Sequence, residues 1–182
     1  MKNANKKYSD TNIRINCRLS YAHLFEPRAI EEGGDKKYSC TLLVDKNDAQ
    51  AVKLVREAET AAQALFKSKY GDFKGKLKSV VYDGDESFPG DEVCEGMLVI
   101  RSSSKTKPGV KVLEPGVGIV DPLDESEVYS GCYGAADINF FPYSTTSSKG
   151  ISCGLNNVIK MEDGEVLGGS GKSADAAFGD LV

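Results

Sequence analysis

The residues with the most chemical promise lie between Tyr129 and Lys160, in the stretch YSGCYGAADINFFPYSTTSSKGISCGLNNVIK. Within it, Gly150-Ile151-Ser152-Cys153-Gly154 has the GxSxG spacing of a serine nucleophile elbow. That chemistry needs a histidine base later in the chain and an elbow placed between a strand and a helix. The sole histidine, His23, precedes Ser152, and the motif falls inside what reads as a hairpin, so acyl transfer is rejected. Gly171-Lys172-Ser173 imitates the end of a phosphate-binding loop, but the leading glycine would have to stand where Val166 does. Asp83-Gly84-Asp85 fails the calcium-loop spacing at Phe88, where a glycine is required. No two cysteines have ligand spacing and no histidine lies near one, so neither metal nor cofactor is expected. Nothing here argues for an enzyme.

What remains is stacking and charge. The stretch reads as two strands, roughly 131–143 and 150–160, joined by a Ser/Thr-rich turn. Successive side chains of a strand point to opposite faces. Cys132, Ala136, Ile138 and Phe140 share one parity and form the expected core face. Tyr133, Asp137, Asn139, Phe141 and Tyr143 share the other. Rings interleaved with amide and carboxylate groups suit a surface that stacks on bases and bonds to their edges. An ordinary strand with a few exposed rings fits these residues equally well.

The elements that must position such a face come from the rest of the chain. A chain of 182 residues with 40% hydrophobic content can build one good core. Its net charge of −4 does not advertise nucleic acid, yet the charge is segregated. Residues 46–78 hold eight Lys/Arg against four acids, whereas 79–96 hold six acids and 113–128 five, both without a base. A purely basic loop, 102–111, carries Lys105, Lys107 and Lys111.

Taken in order, residues 1–11 form a flexible basic arm. Residues 12–22 are the clearest strand, with Ile13, Ile15, Cys17 and Leu19 inward and Arg14, Asn16, Arg18 and Ser20 outward. A loop over 23–37 leads to a strand at 38–44, with Tyr38 at its start. A helix over about 47–70 follows, capped by Asn47 or Asp48, buried along Val52, Val55, Ala62, Leu65 and Phe66, and ended by Gly71. Residues 72–96 read as irregular and acidic. A strand at 97–101 ends in Arg101, and a short one follows at 110–113 or 117–120. The chain is divided as an arm (1–11), a barrel domain (12–165) and a flexible acidic tail (166–182). The five cysteines read as buried thiols of a reducing cytoplasm, and no stretch has the apolar length of a membrane span.

Five or six short strands with one inserted helix predict a mainly β protein, a five-stranded Greek-key barrel of the OB-fold type. A split sheet with one packed helix is the competing architecture. A nucleic-acid ligand for such a barrel and a role as a structural or protein-interaction module both remain open from these residues alone.

The segments RLSYAHLFEP (18–27), YSCTLLV (38–44), YSGCYGAADINFF (129–141) and KGISCGLNNVIKMEDGEVLGG (149–169) resemble the single-stranded-DNA-binding family of tailed phages and prophages. The resemblance runs from about residue 12 to the tail. It implies an OB-fold that coats single-stranded DNA with little sequence preference during phage replication, recombination or repair, in the host cytoplasm. It also implies a C-terminal tail that docks phage or host replication and recombination proteins. Single-strand binders pair a cationic groove with stacking rings. The rings expected to serve are Tyr38, Tyr133, Phe141 and Tyr143, and the cations Arg14, Arg18, Arg101, Lys105, Lys107 and Lys111, with both acidic segments turned away.

Overall fold

The alternation in residues 13–19 becomes a strand with one dry and one wet face. Ile13, Ile15, Cys17 and Leu19 are all buried, and Arg14, Asn16 and Arg18 between them are half-buried. In the computed structural model, described over residues 1–29 and 31–168, this strand is one of nine. The elements run β1 (Lys6–Lys7), β2 (Asn12–Arg28), β3 (Lys37–Asp45), α1 (Ala49–Tyr70), β4 (Val81–Asp83) and α2 (Gly84–Ser87). They continue with β5 (Met97–Ser104), β6 (Gly109–Glu114), β7 (Gly118–Val120), β8 (Tyr133–Ser144) and β9 (Lys149–Glu162).

Five of these strands close on themselves. Antiparallel pairing links β5 to β3, β3 to β2, β2 to β8 and β8 to β9. A parallel contact between β5 and β9, at Ser103 and Gly154, completes the ring. A closed five-stranded barrel with this connectivity is the expected OB-fold. The split-sheet alternative is therefore excluded. Both short segments at 110–113 and 117–120 are strands, β6 and β7, forming a hairpin that pairs with the outer part of β9. The barrel interior holds Ile13, Ile15, Leu19, Leu42, Ile100, Ile138, Phe140 and Leu155, each almost fully buried.

Helix α1 lies against the barrel. Asp48 caps it by accepting a hydrogen bond from the Ala51 N–H at 3.0 Å, and Gly71 ends it with φ at +82°, a conformation that favours glycine. Its buried face is Ala51, Val55, Ala58, Glu59, Ala62 and Phe66, at helical spacing. Leu65, expected in that stripe, is instead 48% exposed, because one residue short of Phe66 it is rotated off the buried face. Glu59 tolerates burial because the Ser79 hydroxyl donates to its carboxylate and Arg56 stands 3.7 Å away.

Four further expectations change. The loop read from residue 23 is strand as far as Arg28. A bulge near Tyr21, where φ is +44°, shifts the register, so the inward parity passes from the odd residues to Leu24 and hides the alternation. The irregular segment 72–96 contains β4 and the single turn α2. Residues 1–11 lie along β2: Lys6 and Lys7 pair with Arg14 and Ile13, and Asn5 bonds both oxygens of Asp48. Residues 163–167 fold back on the barrel, through a bond from the Leu167 N–H to the Ser130 carbonyl. The expected tail, 166–182, therefore begins in a segment held against the barrel, and its remainder, 169–182, lies outside the described residues.

All five cysteines are buried and unpaired. Burial pushes their thiols up, Cys40 to about 12, so they are poor nucleophiles.

Candidate nucleic-acid interface

Barrel closure brings the outward residues of three strands together. Along β8 the outward parity carries Phe141 and Tyr143, paired with Ser152 and Gly150 on β9. Where β9 meets β5, the surface is made of Ser103, Ser152 and Gly154. These small residues form the floor of a groove of about 560 Å³. Lys37, Lys105, Val80, Phe141 and Tyr143 rise around it. Phe141 lies close above Gly154, whose missing Cβ would sit 3.6 Å from the ring. That ring is 41% exposed. Tyr143 is held at the far end by a 3.0 Å hydrogen bond shared with the Ser148 hydroxyl.

Lys37 and Lys105 form no salt bridge among the described residues, so their charge is available to an anionic ligand. Three other expected residues neighbour lining residues along the chain or across a strand pair without lining the groove themselves. Tyr38 pairs directly with Ser104 at the end of β3. Arg101 stands two residues before Ser103 on the same outward parity, its guanidinium 5.0 Å from the centre of the Tyr82 ring. Lys107 lies over Phe25 at 5.7 Å.

The remaining four are engaged elsewhere. Arg14 lies under the N-terminal segment, donating from Nε to the Ala4 carbonyl at 2.6 Å and from Nη1 to the Tyr8 hydroxyl at 3.2 Å. Arg18 donates to the carbonyls of Gly131 at 3.0 Å and Glu165 at 2.9 Å, and its guanidinium lies 5.1 Å from the Tyr133 ring centre. Arg14 thus fastens the N-terminal segment, and Arg18 with Tyr133 fastens residues 163–165, away from the groove. Lys111 meets Asp121 at 2.5 Å across the β6–β7 hairpin. Its charge is matched locally.

The acidic segment 79–96 keeps its carboxylates at the other end of β5. Asp83 pairs with Leu98, and Asp83 and Asp85 bind Lys46 at 2.5 and 2.6 Å. Hydrogen bonds from that ammonium draw both carboxyl groups below their usual range. The Gly150–Gly154 motif lies wholly inside β9, and His23 is on β2 opposite Ser39, so no strand-to-helix elbow exists there.

Sequence reasoning misses Lys37, Val80, Ser103, Ser152 and Gly154 as lining residues, and Tyr82 as a ring beside Arg101. Ser152 figures there only as a rejected nucleophile. The available signal is the Ser102-Ser103-Ser104 run ahead of Lys105, small side chains before a cation.

A closed barrel of this topology with a ring-walled, cation-flanked groove defines an OB-fold protein with an open binding cleft. Residues 11–181 match the family described as Enterobacter phage Enc34, ssDNA-binding protein, and the chain belongs to that family. The single-stranded DNA-binding protein of bacteriophage Enc34, solved in complex with ssDNA, is 29% identical with a TM-score of 0.76, over 92% of this chain and 99% of that one. A putative protein p50 of Acyrthosiphon pisum secondary endosymbiont phage 1 is 28% identical over 177 residues, 91% of each chain. The gp2.5 protein of bacteriophage T7, a single-stranded DNA binding protein, shares the fold at 15% identity and a TM-score of 0.55, over 89% of this chain and 97% of that one.

Proposed function

We propose that this chain binds single-stranded DNA without sequence preference and coats it during phage DNA replication, recombination or repair. The observation that carries the reading is the groove itself. Phe141 and Tyr143 stand over a floor of Ser103, Ser152 and Gly154, with Lys37 and Lys105, unpaired among the described residues, at its edges. Rings stack on any base, and each stacked base contributes about 1–3 kcal/mol. Lysines meet phosphates as point charges. A floor of small side chains presents few groups to read base edges, which fits tolerance of sequence. Family membership and the relative solved with ssDNA support the same reading. The protein acts by binding rather than by catalysis. Protein partners in replication or recombination would be ligands of the C-terminal segment 166–182.

Titration of oligo-dT at several salt concentrations tests this. The affinity is expected to fall steeply with salt. Changing Lys37 and Lys105 to Ala is expected to flatten the slope by roughly 0.7 for each phosphate left without its lysine. Salt-independent or undetectable binding would overturn the reading and favour a protein-interaction module on the same barrel.

A further inference from the structure

The segment after α1 carries a second concentration of cations and rings that the groove does not use. Between Thr60 and Tyr82, Asp72 is the single acid against the five lysines 67, 69, 74, 76 and 78. Asp72 meets Lys67 at 3.4 Å, and Lys69, Lys74, Lys76, Lys78 and Lys149 form no salt bridge among the described residues. Two rings stand among these ammonium groups. Phe73 is 42% exposed with Lys149 at 5.7 Å, and Tyr70 is 41% exposed with Lys69 at 5.2 Å. Phe73 packs against Phe66 at 6.3 Å between ring centres, and its ring crosses Gly75 where a Cβ would collide at 2.8 Å.

This surface continues from the groove. Tyr143 pairs with Gly150, and Gly150 bridges in turn to Lys78. Two strand spacings, about 10 Å, therefore separate Tyr143 from Lys78. Gly150 permits the approach, since a Cβ there would meet the Lys78 carbonyl at 2.4 Å. Val80, two residues beyond Lys78, lines the groove.

We infer that single-stranded DNA leaving the groove past Tyr143 continues over Lys78 and Lys149 to Phe73, Lys74 and Lys76, forming a second binding segment. The exposed rings favour a single strand, because a duplex keeps its base faces stacked inside. The inference rests on the function proposed above, and oligonucleotide length separates the two. One OB barrel occupies roughly 4–16 nucleotides, so oligo-dT near each end of that range is the probe.

For the short oligomer, the Lys74→Ala/Lys76→Ala variant is expected to bind like the parent. For the long one it is expected to lose affinity, with a salt slope smaller by roughly 1.4. Phe73→Leu is expected to weaken long-oligomer binding roughly five- to hundredfold where it stacks one base. Thermal melts matching the parent's establish that each variant folds. If the short oligomer binds and the lysine variant keeps the full long-oligomer affinity and slope, the second segment is refuted and the groove stands. Equal losses at both lengths refute it also, by placing these lysines in the primary site. Unchanged DNA binding with loss of binding to an acidic peptide would reassign the surface to protein docking. Failure of the parent to bind either oligomer would fell the proposed function itself.

Discussion

Replacing Phe141 and Tyr143 with Leu is expected to lower affinity for oligo-dT by about 1–3 kcal/mol for each ring that stacks on a base, roughly five- to hundredfold each. Leucine keeps apolar contact with the groove floor but removes the flat face. Phe141 projects from the barrel and Tyr143 is half-buried with its hydroxyl on Ser148, so the fold should keep most of its stability. Tyr133→Leu is the informative comparison. Its ring shares the outward parity of β8 but sits against Arg18, beside the segment that Arg18 holds at Glu165. Its loss should leave DNA affinity nearly unchanged and loosen residues 163–167. Fluorescence titrations of the three variants decide it. A larger loss at Tyr133 than at the groove rings would move the site to the Arg18 end of the barrel.

Phe140→Ala, one residue from Phe141, should act in the opposite sense. Its ring is 1% exposed in the middle of the core, and truncating a buried phenylalanine costs about 3–5 kcal/mol. For a chain of this length each kcal/mol lowers the melting temperature by roughly 2–4 °C. Urea unfolding should show the lowered midpoint, while the fraction that remains folded should still bind oligo-dT through Phe141 and Tyr143. A stable Phe140→Ala variant beside an unfolded Phe141→Leu variant would mean that the inward and outward faces of β8 had been exchanged.

The strands are legible in the sequence wherever one face is dry and the other wet. Residues 13–19 and 132–143 announce themselves because burial imposes a period of two. At Tyr21 the period breaks, so the second half of β2 reads as a loop. The site is legible as a chemistry and only partly as a place. Phe141, Tyr143 and Lys105 meet because β8, β9 and β5 converge, and that convergence depends on barrel closure between residues far apart in sequence. Arg14 and Arg18 do point outward, as their parity predicts. Beside the Tyr8 hydroxyl and the Tyr133 ring, their partners are backbone carbonyls of Ala4, Gly131 and Glu165, and no side-chain pattern in the sequence marks those carbonyls. The Lys111–Asp121 pair is different: taking 110–113 or 117–120 as the strand hides it, whereas both as strands around Pro115-Gly116 set the two residues across one hairpin.

β5 and β9 meet directly through a single parallel residue pair, Ser103 and Gly154, helped only by the segment 78–83 that bridges Gly150 to β5, whereas the neighbouring strands are joined along extended ladders. A ring fastened by so short a join should breathe there first, with amide protons near Ser103 and Gly154 exchanging ahead of those in mid-β8. The same two residues floor the groove, with Lys105 on one side of the join and Phe141 and Tyr143 on the other. A strand of DNA lying across it would act as a clasp, holding both sides at once. Oligo-dT should therefore slow deuterium uptake at this join more than elsewhere in the barrel and raise the melting temperature with ligand concentration. Uniform protection around the ring would show that the join is as firm as its neighbours.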